Sequence, residues 1–342
     1  MTDSRDVLLF GALALVWGTS FTAIEIGLES LPPLLFAALR FDVAALCFVA
    51  VVVAFGHPWR PQTGGDWALI AVGGVVLVGA HYALLFLGQA TVSSAVAAIV
   101  LSLVPIVTPP LALAVVPGVR VRAPAVAGLL VGLLGVVLVA LSSGSLGGSL
   151  LGVGLLVASA VAFALGTVLA ERVSGSLPLV SVQAWAMAVG ALCLHAVSVA
   201  HPGESLAGIE WSLTALGALA YLGVVATAGA FVVYFVLLER LGSSELTMVN
   251  YAVPVVAAGF GWALLGETIT AATVVGFAAI VLGFALCKVD VLWQRGAPVV
   301  GYGPYRPVSV ETDECVVNGN VYLASGAGST PRGHSRGIVS DD

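Results

Sequence analysis

Few residues of this 342-residue chain could do chemistry, because only 9% of them are charged. Five ionisable side chains fall inside long apolar stretches: Glu25, Arg40, Asp42, His81 and His195. Charge within a membrane span is costly and normally faces a bundle interior or a water-filled cavity, so each is a functional candidate. The chemistry on offer is solute binding and proton carriage. Arg40 and Asp42 are two residues apart and project from different helix faces. Arg40 therefore needs a partner from another helix, and Glu25 is the nearest by depth. Such a pair reads either as a structural bolt or as a gate that breaks when the protein changes shape. His81 reads either as a proton carrier, since imidazole titrates near neutrality, or as a neutral histidine donating one hydrogen bond in a packed interior. His195 fits the second description. Glu25, Asp42 and His81 are the proton-coupling candidates.

Uncharged groups would shape the site itself. Trp17, Thr19 and Ser20 share one apolar stretch, Tyr82 follows His81, Tyr234 lies further on, and Asn250 and Tyr251 precede Pro254 by about a turn. Together with Arg40, His81, Pro105 and Pro254 they are the expected substrate-binding set. The two prolines matter as a pair. Ser93-Ser94 is followed about eleven residues later by Pro105, and Ser243-Ser244 by Pro254, with 149 residues between the prolines. A proline inside a helix removes one backbone hydrogen bond. Helices interrupted at corresponding places in two halves point to the substrate site of a transporter.

The elements that must carry these residues are membrane helices. The chain is 60% apolar with a mean hydropathy of +1.10, whereas a soluble domain carries about 25% charged residues. Apolar runs at 7–28, 34–55, 67–88, 93–116, 123–142, 149–171, 180–200, 211–238, 245–265 and 270–287 are each long enough to cross a hydrocarbon core of about 30 Å. They are spans 1 to 10. The first is too long for the core of a signal peptide and reads as a retained span.

Charge in the connections supports the count. Arg5, Arg60, Arg120, Arg122, Arg172, Arg240, Lys288 and Arg295 precede span 1, follow span 10 or lie after even-numbered spans, while Glu29, Glu204, Glu210 and Glu267 lie after odd-numbered ones. The positive-inside rule then puts both termini in the cytoplasm, in the cell (plasma) membrane. On that orientation all five intramembrane ionisable groups fall in the outer half, from roughly 4–5 Å (Asp42, His81) through about 7 Å (Arg40, His195) to about 11 Å (Glu25) from mid-span. The polar pathway is therefore expected on the outer side.

The two halves repeat. Gly18-Thr19 and Gly166-Thr167 are 148 residues apart, as are Gly135 and Gly283. A five-span unit repeated in tandem inserts its second copy upside down. The expected fold is all-α transmembrane, a ten-helix bundle of two inverted five-helix repeats with the site between them near the midplane. The first repeat covers 7–142, the second 149–287, and a cytoplasmic tail 288–342.

Trp17-Gly18-Thr19-Ser20-Phe21, Ala38-Leu39-Arg40-Phe41, the small-residue runs ending at Pro105 and Pro254, and Leu265-Gly266-Glu267 followed by Gly276 and Gly283 resemble the drug/metabolite transporter superfamily, in its EamA-like branch with two five-span domains. The resemblance covers about residues 8–287. It implies movement of small metabolites, amino acids or drugs across a membrane, more often outward, and no particular cargo. One departure is clear: where the first domain of such proteins often has a second Leu-Gly-Glu, this chain reads Pro117-Gly118-Val119-Arg120-Val121-Arg122. A role of Glu267 is therefore not mirrored in the first half.

Other classes find little support. No metal spacing or disulfide framework occurs among Cys47, Cys193, Cys287 and Cys315, and no cofactor is implied. There is no phosphate loop for ATP hydrolysis and no HExxH or GxSxG element for an intramembrane enzyme. A basic patch with interleaved aromatics, which nucleic acid binding would need, is missing. The expected partners are a small-molecule substrate and the lipid bilayer, with a homodimer left open. A non-transporting scaffold or sensor rests only on the tail, which is rich in Gly, Pro and Ser and mostly disordered by composition. Val316–Tyr322 could still close a small hairpin around Asn318-Gly319.

Overall fold

The computed structural model describes residues 4–115, 123–142, 148–204, 209, 211–241, 246, 248–287, 314–317 and 320–323. Spans 1 to 3 are Ser4–Leu28, Pro33–Ala54 and Gly64–Gln89. Span 4 is broken into Ser94–Leu101 and Val104–Val115. Spans 5 to 7 are Ala123–Ser142, Gly148–Glu171 and Leu179–Ala200. Span 8 runs through Leu213–Ala220, Tyr221–Gly229 and Ala230–Leu241. Spans 9 and 10 are Val249–Leu265 and Ala271–Cys287. Seven of these helices are long and apolar enough to cross a membrane, and three shorter apolar helices complete the ten. Large apolar side chains such as Leu46, Val53, Leu134 and Leu282 point outward, as lipid permits and water does not.

Local chemistry sets where the helices begin. Spans 2 and 7 both start after a proline, Pro32 and Pro178, with closely matched backbone angles (φ −58°, ψ 137° and φ −55°, ψ 141°). Thr63 caps span 3 in a reciprocal box with Asp66, and the Ser93 side chain accepts from Val96 N–H at the start of span 4. One serine of the first pair is thus a helix cap; Ser243 and Ser244 lie outside the described residues.

The halves interlock about a pseudo-two-fold axis. Span 1 packs on spans 8 and 9, and its counterpart, span 6, packs on spans 3 and 4. Span 2 lies along span 7, and span 5 along span 10. Where spans 5 and 10 meet, a Cβ added at Gly128 or Gly135 would run into the backbone of Gly283 or Gly276. Small residues let the two backbones touch in the absence of a hydrophobic drive from lipid.

A second matched pair of irregularities accompanies the prolines. Val72–Ala80 in span 3 and Tyr221–Gly229 in span 8 are π-helical, at the same 149-residue separation as Pro105 and Pro254. Each π segment carries a glycine pressed onto a helix of the other half: Gly74 meets Val189 of span 7, and Gly223 meets Val43 of span 2. Nothing in the hydropathy pattern announced these segments. Such widened turns inside helices occur often at functional sites.

Three tryptophans gather where spans 3 and 7 begin. The rings of Trp59 and Trp185 lie 6.4 Å apart and nearly parallel, Trp67 is 6.1 Å from Trp185, and Trp185 Nε1–H donates to the Trp59 carbonyl at 2.7 Å. In the tail, Glu314–Val317 (β1) pairs antiparallel with Asn320–Leu323 (β2), with Val317 opposite Asn320. The two strands of the expected hairpin are therefore paired, while Asn318-Gly319 lies outside the described residues.

Candidate functional site

A cavity of about 400 Å³ lies between the halves and is lined by both. Its size is that of a small-molecule site. Span 1 contributes Trp17, Ser20, Phe21 and Ile24, span 2 contributes Arg40, and span 3 contributes His81 and Tyr82. The break in span 4 brings in Ser102 and Pro105, and Asn250 enters from span 9. Pro105 and Pro254 withhold the N–H groups that the carbonyls of Leu101 and Asn250 would receive in unbroken helices. Leu101 and Asn250 both line the cavity, whereas Pro254 itself is buried in span 9 and does not.

Aromatic rings form much of the wall. Trp17 stands 5.7 Å from Tyr234 and 6.5 Å from Phe231. Phe41 meets Tyr82 edge-on at 4.5 Å. Beyond them Phe36 and Phe86, both fully buried and 5.5 Å apart, close the end towards Glu204 and Glu267. In the other direction the lining continues through Leu69, Ala170, Leu179 and Gln183, towards the end that carries Arg60 and Arg172. The cavity thus runs away from the side where the ionisable groups led us to expect it. On that side the buried Phe36–Phe86 pair fills the space between spans 2 and 3.

Arg40 is the principal charge at the cavity, only 3% exposed. Its Nε–H donates to Thr227 Oγ1 at 2.9 Å, and the Thr227 hydroxyl donates to the carbonyl of Leu222 inside the π segment of span 8. The guanidinium lies over the rings of Tyr82 and Phe41, at 5.0 and 5.5 Å. The expected pairing with Glu25 does not form. Glu25 instead lies off the cavity against Gln89, within electrostatic reach of Glu267. Depth alone suggested the pair, but the two side chains leave their helices in different directions.

His81 is buried and tied to span 6. A consistent donor assignment has its Nδ1–H donating to the Ser159 carbonyl at 3.0 Å while the Ser159 hydroxyl donates to the His81 carbonyl at 2.9 Å. This arrangement is a strut between halves. Asp42 lies away from the cavity, bonded to His195 Nε2 at 2.7 Å between spans 2 and 7. Thr19 also turns aside, its hydroxyl 2.6 Å from that of Tyr221. Tyr251 packs on Phe284 with ring centroids 4.5 Å apart and does not line the cavity. Trp17, Ser20, Arg40, His81, Tyr82, Pro105, Tyr234 and Asn250 of the expected set are therefore brought together, and Thr19, Tyr251 and Pro254 are not.

Sequence reading missed Thr227, which holds Arg40, and the polar lining residues Ser102, Thr108, Thr167 and Gln183. Thr167 was visible as the repeat partner of Thr19, yet only Thr167 faces the cavity. Among the described residues no Asp or Glu lines the cavity, and no cluster of His, Cys, Asp and Glu is placed to hold a metal ion.

Among the described residues, membrane repeats enclose a solute-sized cavity, and transporters are a class of protein built from such repeats. The chain belongs to the EamA-like transporter family, whose model matches it twice, over residues 5–141 and 150–288. It is 30% identical over 302 residues to the "uncharacterized inner membrane transporter YedA" of Escherichia coli (strain K12), covering 85% of this chain and 94% of that protein. An "uncharacterized transporter" of Archaeoglobus fulgidus is 29% identical over 269 residues, 78% of this chain and 92% of its own. A "probable amino-acid metabolite efflux pump" of Salmonella typhimurium is 28% identical over 309 residues, 87% of this chain and 99% of its own. One solved crystal structure, 24% identical, superposes with a TM-score of 0.59 over 86% of this chain and all of that one, and shows the shared fold.

Proposed function

We propose that the protein is a secondary transporter that carries small organic carboxylates by alternating access, with its substrate site in the cavity between the repeats. The observation that carries this reading is Arg40. A buried cation without an anionic partner is costly, by several kcal/mol even after relaxation. Here Thr227 holds only Nε, among the described residues no carboxylate pairs with the group, and the side chain borders a solute-sized cavity. Guanidinium matches the planar, bidentate geometry of a carboxylate. The rings of Trp17, Phe231 and Tyr234 then suit an apolar body. The printed name of the Salmonella relative, which mentions amino-acid metabolites, agrees with a carboxylate cargo.

Rocking of the halves would expose the site to each side in turn. Charge segregation orients both termini towards the cytoplasm of the cell membrane, and the cavity then faces inward, as loading for export requires. The test is flux into liposomes of three isosteres: 3-phenylpropanoate, 3-phenylpropanamide and 3-phenylpropylamine. The carboxylate should move at least tenfold faster than the other two, and Arg40→Gln should remove the difference. Equal or faster movement of the amine overturns the carboxylate assignment. No movement of any probe through a folded sample favours the scaffold reading.

A further inference from the structure

Away from the cavity, at the end closed by Phe36 and Phe86, the side-chain oxygens buried without a hydrogen-bond partner among the described residues include Glu25 Oε2, Gln89 Oε1 and Ser94 Oγ. They come from spans 1, 3 and 4. Gln89 and Ser94 are completely buried. Glu25 lies against Gln89, with Glu267 and Glu29 as the charged groups nearest to it. Glu267 reaches in from beyond span 9, accepting from Ser94 N–H at 2.8 Å and Ala95 N–H at 3.3 Å. Its Oε2 and Ser94 Oγ crowd the same face of Gly261.

The hydrogen-bond arithmetic is unbalanced as long as both carboxylates are ionised. Gln89 cannot solve it by turning its amide, because its Nε2–H donates to the Phe21 carbonyl at 2.6 Å, and a turned amide would set oxygen against oxygen. Gln89 Oε1 is thus an acceptor with no donor, and an ionised Glu25 Oε2 is another. Each buried unsatisfied group of this kind is expensive. Glu267, by contrast, accepts two backbone N–H groups, which suits an anion.

We propose that Glu25 carries a transported proton on Oε2, donated to Gln89 Oε1, and that Glu267 is its ionised neighbour. One proton converts an acceptor into a donor, satisfies both orphaned oxygens in a single bond and leaves one negative charge in place of two. Its departure leaves two carboxylates within electrostatic reach of each other where Glu267 holds the start of span 4. Their repulsion acts on the bonds to Ser94 and Ala95, so proton release is coupled to opening of this end. The proton site stands on this geometry alone; its coupling to solute movement rests on the transport reading above.

Infrared difference spectroscopy on the purified full chain in lipid nanodiscs tests the first part. At neutral pH the wild type should show the carbonyl band of a buried protonated carboxyl group. Glu25→Gln, whose amide still donates to Gln89 Oε1, should lose that band while keeping its thermal midpoint. A wild type without the band, or a Glu25→Gln variant that retains it, overturns the assignment. So does stabilisation of wild type but not Glu25→Gln by sodium chloride over choline chloride, which would mark a sodium site. The second part is read in liposomes with 3-phenylpropanoate. A transmembrane pH gradient should change wild-type flux at least fivefold and Glu25→Gln flux not at all. Flux that ignores the gradient, with the band present, overturns the coupling and leaves the transport reading intact. Absence of any flux, with the band present, overturns the transport reading and leaves the proton site intact.

Discussion

The two ends of the bundle are held by the same device used unequally. At the end that carries Glu204 and Glu267, two acidic side chains of the second half seize helix starts in the first. Glu204 accepts from the N–H groups of Leu34 and Leu35 at the head of span 2 and from the Ser198 hydroxyl. Glu267 does the same for Ser94 and Ala95 at the head of span 4. At the opposite end Asp66 of the first half reaches the second, accepting from Ser176 N–H at 2.6 Å and Leu177 N–H at 2.8 Å just before span 7. The first and third clasps are exchanged between halves as an inverted repeat demands. Glu267 has no described counterpart: the corresponding stretch reads Pro117-Gly118-Val119-Arg120 and lies outside the described residues. Carboxylates suit the exposed N–H groups and partial positive charge of a helix start. The end with two such clasps is also the end that Phe36 and Phe86 seal, and the cavity runs to the other.

Removing clasps tests the comparison, beginning with the strongest. Asp66 is fully buried and also accepts from the N–H groups of Gln62 and Thr63 and from the Ser176 hydroxyl. Asp66→Asn turns one acceptor oxygen into a donor facing donors, so it should cause the largest loss of thermal midpoint and of folded yield in a detergent melt. If Asp66→Asn melts like wild type, this end is not held by its carboxylate.

Glu267→Gln should cost about 1–3 kcal/mol of the closed arrangement. Since about 1.4 kcal/mol is a factor of ten, labelling of a cysteine placed at Ile24 by a reagent added from that end should rise roughly tenfold. Glu204→Gln should act in the same direction, and the double variant should exceed either. A change confined to the opposite end would break the comparison.

The smallest effect is expected at Gly266. Its φ of +67° terminates span 9 in the left-handed region and turns Glu267 back, with the Glu267 N–H bonded to the Gly261 carbonyl at 3.1 Å. Gly266→Ala should cost roughly 1 kcal/mol of stability, read as a lower melting midpoint, and loosen the Glu267 clasp to a lesser degree than Glu267→Gln.

Span number, repeat length and the paired prolines could be read from the chain because each rests on local composition or on a regular spacing. Gly18, matched in sequence to Gly166, proves to be a contact glycine in both copies, against Val256 in one and Leu77 in the other. The π segments were hidden, since a single wide turn leaves the apolar pattern unchanged. Arg40 was recognised as needing a partner, but Thr227 lies 187 residues away on another helix and nothing in its own neighbourhood marks it. Leu265-Gly266-Glu267 was seen as a motif. Its physical content, a left-handed turn that aims a carboxylate at a distant helix start, depends on how spans 4 and 9 are placed in space.

The stacked tryptophans where spans 3 and 7 begin give this protein a spectroscopic handle of its own. Trp59, Trp67 and Trp185 bridge the two repeats, and neighbouring indoles quench and shift one another's emission. Any excursion that separates spans 3 and 7 will alter their native fluorescence in real time, without a dye, a label or an introduced cysteine.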